Sequence, residues 1–141
     1  ILPTAQELRV GVVAYAPVGR ALLTGRLTSL SDLAANDLRW AQPRFQGDNF
    51  DHNLQLVDRL RAIADETGHT PAHLALAWLL AKSEDIVPIP STNHIAHLEE
   101  NLAAAEIHLT STQVRTLDAA IPPDSVSGDR NTPASLALME K

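Results

Sequence analysis

Apolar residues in this chain fall in two kinds of run. The first kind is continuous. Val10-Gly11-Val12-Val13-Ala14-Tyr15 is β-branched and nearly all apolar, which predicts a strand buried on both faces, the habit of parallel sheets. Ile86-Val87-Pro88-Ile89, led in by Asp85, predicts a second strand. The second kind of run has helical spacing. Leu2, Ala5 and Leu8 predict a short helix over Leu2 to Arg9. Leu54, Val57, Leu60, Ile63 and Ala64 form a stripe that predicts a helix over His52 to Thr67, closed by Gly68. Thr70 then caps a helix with Pro71 in its first turn. This helix, Ala72 to Ala81, is apolar on most faces, so deep packing is expected, with Trp78 in the core. A further helix is expected from about Ile95 to Ala104, and another after Thr110, where Gln113 completes a capping box and Pro122-Pro123 makes the stop.

Two stretches lack such patterns. Ala16 to about Asn49 is rich in polar and turn residues, and a loop that long in a compact domain is usually functional. The tail from Asp124 to Lys141 has weak periodicity and is expected to wrap a surface. Buried strands alternating with helices indicate parallel βαβ units and an α/β fold. Two parallel strands cannot bury a sheet by themselves, so more strands are expected to complete it. The chain starts at Ile1, directly before a helical run, which fits a trimmed or partial chain or processing of an initiator segment.

Composition narrows the function. With 141 residues, 45% hydrophobic and 20% charged, the chain reads as one globular domain. A net charge of −6 and scattered basic residues argue against a nucleic-acid surface. There is no cysteine, hence no disulfide or thiolate site, and this suits a cytoplasmic protein. No apolar run approaches the roughly 20 residues of a membrane span, and no signal peptide is visible, so no membrane partner is expected.

The candidate chemistry lies around the second strand. Ile86-Val87-Pro88-Ile89-Pro90 runs into Ser91-Thr92 and then a helix start, an arrangement that offers backbone N–H groups and a helix dipole to an anion. A plain helix cap is the alternative for the two hydroxyls. His94, His97 and Glu100 recur every three residues, and His69 and His73 are four apart, but Pro71 breaks the second pair's helix and no His-Glu-x-x-His pattern exists. No metal is therefore expected. His52 and His108 read as surface residues. Trp40, Arg44 and Phe45 either line a rim or pack the long loop locally.

Several blocks together resemble the aldo-keto reductases. Val12-Val13-Ala14-Tyr15-Ala16-Pro17-Val18-Gly19-Arg20 with Leu22-Leu23-Thr24-Gly25-Arg26 is similar to that family's seventh strand and its loop. Pro43-Arg44-Phe45 with Asn49, and Thr70-Pro71-Ala72 before Leu74-Ala75-Leu76-Ala77-Trp78-Leu79, follow in the family's order. Ile86 to Pro90 with Leu98-Glu99-Glu100-Asn101-Leu102 resembles the eighth strand and last barrel helix. The match covers about residues 1–130. It implies the C-terminal half of a (β/α)8 TIM barrel: two parallel strands in predominantly helical surroundings, whose partner is the N-terminal half of the same barrel. Such barrels place their sites at the C-terminal strand ends, often with phosphate held after strands seven and eight.

The implied function is NADP(H)-dependent reduction of a small-molecule aldehyde or ketone. The family's catalytic Asp, Tyr, Lys and His come from the first half, so no catalytic residue is expected here, and Tyr15 belongs to the strand-seven motif. By the same resemblance Ala16, Val18, Gly19, Arg20, Leu23 and Arg26 lie along the nicotinamide riboside and pyrophosphate, or else form an ordinary surface loop. Ser91, Thr92, Asn93 and His97 fall at the 2′-phosphate, and Glu100 and Asn101 at the adenine. The family usually has Lys where Arg26 stands, Lys or Arg soon after the hydroxyl pair, and commonly Arg at His97. The loop therefore lacks a permanent cation. NADP is held more weakly, or NAD(H) is accepted, or a protonated histidine supplies the charge. The tail, with Val126, Gly128 and Arg130, occupies the region that shapes substrate choice in such barrels. The competing reading is a non-catalytic nucleotide-binding or assembly module.

Overall fold

A computed structural model describes residues 1–139. Helix α1 (Leu2–Glu7) leads into strand β1 (Val12–Ala14). Four 3-10 turns follow, at Leu22–Thr24, Leu30–Asp32, Leu38–Ala41 and Pro43–Phe45. Then come α2 (Gly47–Thr67), α3 (Pro71–Lys82), β2 (Ile86–Pro88) and α4 (Ile95–Ala103), which tightens into a 3-10 turn. Helix α5 (Ser111–Ala120), a turn at Pro123–Ser125 and α6 (Pro133–Met139) complete the described residues. The tail residues Glu140 and Lys141 lie outside them.

The two strands are parallel, with Val12 opposite Ile86 and Ala14 opposite Pro88. They are shorter than the apolar runs predicted, and their burial differs. Ile86 is buried, whereas Val13 is 64% and Val87 56% exposed. Burial on both faces is not reached within this chain, as two strands alone cannot supply it: the alternation of a strand sends Val13 and Val87 to one side, and nothing among the described residues covers that side. Tyr15 and Ile89, just past the strand ends, are also exposed.

The core is built on α2. Its first half meets the long loop, where Leu22, Leu27, Leu33 and Phe45 gather with Phe50 and Val57. Its second half brings Leu60 and Ala64 against Leu74 of α3 and Leu117 of α5. Each such leucine or phenylalanine side chain is worth about 1.5–3 kcal/mol of burial. The long loop is therefore ordered by its own apolar side chains. It is also tied by Asp37, which caps the turn at Leu38 and takes a two-oxygen grip on Arg39 at 2.8 and 3.0 Å. The hydrogen bonds from the Arg39 side chain and backbone hold the Asp37 carboxyl down at about 2.

The Thr70 cap and the Thr110 capping box both form, and His73 makes the Thr70 cap a box as well. Thr70 Oγ1 accepts from the His73 amide, and Thr110 Oγ1 accepts from the Gln113 amide. Two further expectations need correction. Helix α2 starts at Gly47, five residues before the first residue predicted, and so brings Phe50 into the core. Trp78 is only half-buried, because its indole N–H reaches Asp118 at 2.8 Å at the edge of α3, where Lys82 also binds that carboxylate. An indole donor takes such a wet edge in preference to a dry core.

The tail wraps the surface as expected. Asn53, buried on α2, accepts from the Ser127 amide at 2.9 Å and donates to the carbonyls of Ser127 and Arg44. Gly128 sits at φ +82 so close to Pro43 that a Cβ would lie 2.9 Å from its backbone. No helix among the described residues is long and apolar enough to cross a membrane.

Candidate functional site

The loops after β1 and β2 leave the same end of the sheet, because the strands are parallel. Between them lies a cleft of about 580 Å³. Its first wall begins with a contorted turn. Ala16, Gly19, Arg20 and Ala21 all take left-handed backbone conformations, with φ of 52, 59, 55 and 72. For the three that are not glycine this costs about 1–2 kcal/mol each. Such strain persists only where surrounding contacts enforce it, and it gathers at functional sites.

Nine of the residues singled out in the sequence line this cleft: Ala16, Val18, Arg20, Arg26, Ser91, Thr92, His97, Glu100 and Asn101. Three do not. Gly19 forms the turn behind the wall, Leu23 packs into both core clusters, and Asn93 is exposed outside the lining. Sequence reasoning missed Tyr15, Thr24, Asp32, Arg39, Ala72 and Ile89, among others that also line it. Strand alternation at Tyr15 and Ile89 was the one signal pointing to them; Arg39 and Ala72 arrive through the tertiary fold.

The second wall differs from its sequence reading in one respect. Helix α4 begins at Ile95, so Ser91 and Thr92 stand on the approach to it and not in its first turn. Thr92 Oγ1 accepts from the His94 amide at 3.1 Å, and His94, the N-cap, makes no side-chain cap. The first amides of α4 are therefore left as open donors at the positive end of its dipole.

Among the described residues one ion pair joins the walls. Arg26 Nη2 donates to Glu100 Oε2 at 2.7 Å, and Thr70 Oγ1 donates to Glu100 Oε1 at 2.8 Å. The Glu100 side chain is 11% exposed and Arg26 49%. Burial acts to raise the Glu100 carboxyl, but the hydrogen bonds from Arg26 and Thr70 more than offset it and hold the pKa below its ordinary value. Arg20, by contrast, turns to the tail: it donates to the Arg130 carbonyl at 3.0 Å and to Asn131 Oδ1 at 2.8 Å. His94 and His97 meet edge to face with ring centroids 5.0 Å apart. Among the described residues no three His, Asp or Glu side chains are grouped to hold a metal ion. A smaller apolar cavity of about 250 Å³ lies behind Tyr15 and Pro17, lined by Leu23, Leu74, Trp78 and Leu117.

This donor set, with cationic, hydroxyl, amide and open helix N–H groups along one cleft, suits a long ligand with several phosphates. Comparison with known proteins shows the family. The model of the aldo/keto reductase family matches residues 1–122. The chain is 40% identical over 140 residues to the aldo-keto reductase str7 of Strobilurus tenacellus, covering 99% of this chain and 42% of that protein. It is 38% identical over 135 residues to the aldo-keto reductase yakc [NADP(+)] of Schizosaccharomyces pombe, covering 96% and 40%. Among solved structures, the glycerol dehydrogenase AKR11B4 of Gluconobacter oxydans superposes with a TM-score of 0.76 at 25% identity, over 85% of this chain and 36% of that one. The chain belongs to the aldo/keto reductase family, and it spans 42% and 40% of the length of these two relatives.

Proposed function

We propose that this chain is the cofactor-holding, C-terminal half of an NADP(H)-dependent reductase of aldehydes or ketones. The observation that carries the reading is the shared cleft: the strained turn after β1 and the approach to α4 after β2 converge on it with Arg26, Ser91, Thr92, His97 and Asn101. The nicotinamide would lie toward Ala16 and Val18, where small and apolar side chains allow a flat ring to approach. The adenosine phosphate would lie toward Ser91, Thr92 and His97, with the amide of Asn101 at the adenine edge. A bound nicotinamide supplies the hydride. This chain's own residues bind and orient it, and the apolar side chains at the strand ends exclude water from one face.

The proton donor and its supporting Lys and Asp would come from the N-terminal half of the same barrel. The exposed side of the sheet, with Val13, Tyr15, Val87 and Ile89, is the surface that half would cover. The test compares two proteins: the 141-residue chain alone, and the chain together with any coding sequence in frame upstream. NADPH oxidation with 4-nitrobenzaldehyde is expected only from the second. Turnover by the purified chain alone would overturn the division of labour. The NAD(H) alternative predicts NADH turnover in the same assay.

A further inference from the structure

The tail does more than wrap a surface, because its path runs against the strained turn after β1. Its first part is pinned to α2. His52 Nε2 donates to the Ser125 carbonyl at 2.8 Å, Ser127 Oγ donates to Asn49 Oδ1 at 2.6 Å, and Asn53 holds both backbone groups of Ser127. Just past Asn131, Thr132 Oγ1 accepts from the Ser135 amide at the start of α6. Arg130 and Asn131 are therefore fixed from both sides, and Asn131 is buried.

Arg20 directs its guanidinium at these two residues. Nη1 donates to the Arg130 carbonyl at 3.0 Å, and Nη2 donates to Asn131 Oδ1 at 2.8 Å. A charged donor makes such bonds stronger than a neutral one does. From the other side, Arg39 Nη1 donates to the Arg20 carbonyl at 3.3 Å, and Asp37 fixes Arg39 in turn. Arg20 is thus gripped at its side chain by the tail and at its backbone by the long loop. Arg20 and Ala21 are also two successive non-glycine residues in left-handed backbone, at φ 55 and 72. An L residue leaves that conformation unless contacts hold it. Both line the cleft, whereas Asn131 stands outside the lining.

We propose that Asn131 is a positioning residue for cofactor binding: through Arg20 it holds the left-handed pair Arg20–Ala21 in the shape that forms the first wall of the cleft. The holding role stands on the hydrogen bonds. That the occupant is NADPH rests on the reductase reading, so the experiment reads the two separately.

The full-length polypeptide carrying this sequence is prepared with Asn131→Leu, which removes the acceptor at similar size, and with Asn131→Asp, which keeps it. Calorimetric titration with NADPH is expected to show Asn131→Leu binding about three- to tenfold more weakly, since apparent affinity falls with the fraction of molecules that hold the turn. Asn131→Asp should recover most of the loss. Glycine takes positive φ without steric cost. In an Ala21→Gly background, Asn131→Leu should therefore weaken NADPH by about twofold or less. Without ligand, in alanine-labelled protein, the intraresidue amide–Hα NOE of Ala21 is strong while φ is positive. It should weaken in Asn131→Leu and in Arg20→Met, and the second variant decides the matter if the first does not fold. An equal loss of affinity in both backgrounds would assign the tail a direct contact or a general stabilising role and overturn the proposal. An undiminished NOE in Arg20→Met, or wild-type affinity in folded Asn131→Leu, would overturn it too. A weakened NOE with no NADPH binding by any of the proteins would leave the hold on the turn standing and remove the cofactor reading.

Discussion

Replacing Glu100 by Gln tests the bridge between the two walls of the cleft. The side chain keeps its shape, but one of its two acceptor oxygens becomes an NH2 group, so the change removes the charge and the acceptor that faces Arg26. Arg26 is half in water, and a pair with one solvated partner is worth about 0.5–1 kcal/mol. Thr70 retains an acceptor in the amide oxygen, so its contribution is small. The expected loss is therefore about 0.5–1 kcal/mol at pH 7. The pH dependence follows from the lowered pKa. A carboxyl whose folded pKa lies below its unfolded value contributes stability above the unfolded pKa and loses it as pH falls through the folded one. For Glu100 the ordinary value is 4.5, so the wild-type advantage should be full at pH 7 and fade below that value. Urea unfolding of both proteins at pH 7 and pH 3 measures it, and the difference cancels other titrating groups. An advantage that persists undiminished at pH 3, or a more stable Glu100→Gln, would refute the reasoning.

Other outcomes follow from the packing. Leu74→Ala empties a buried position between α2 and α5 and should cost about 2–5 kcal/mol by urea unfolding. Asn53→Ala removes three hydrogen bonds to the tail and the Pro43–Phe45 turn and should cost about 2–3 kcal/mol. It should also make the tail more sensitive to limited proteolysis than Leu74→Ala does at equal stability. Asp37→Asn should lower the melting temperature at pH 7, and the difference from wild type should vanish as pH falls through about 2.

Short-range signals were the legible ones. Thr70-Pro71 and Thr110 with Gln113 form their caps because every atom involved lies within three residues. The stripe Leu54 to Ala64 fixed the core face of α2 for the same reason. Its start was hidden: Gln46 at the N-cap makes no side-chain bond, so Gly47 to Asp51 carries no marker. Val13 and Val87 look the same in sequence whether or not something covers them, so which strand face lies bare in this chain is visible only in the fold. The cleft was legible through motif order, which brought nine lining residues to notice. The tail's attachment was not, since Asn53 and Ser127 meet across 74 positions. The partnering of Arg26 with Glu100 is of the same kind, two residues singled out separately and joined only by the fold.

The central claim is that NADPH lies in the cleft between the loops after β1 and β2. Nitrogen-15 labelled protein titrated with NADPH, and with 2′,5′-ADP as the adenosine half alone, tests it residue by residue. The account predicts amide shifts at Val18, Gly19, Thr92, His97 and Asn101 with NADPH. It predicts that 2′,5′-ADP moves only the last three. Shifts confined to other surfaces, or none with either ligand, would contradict it.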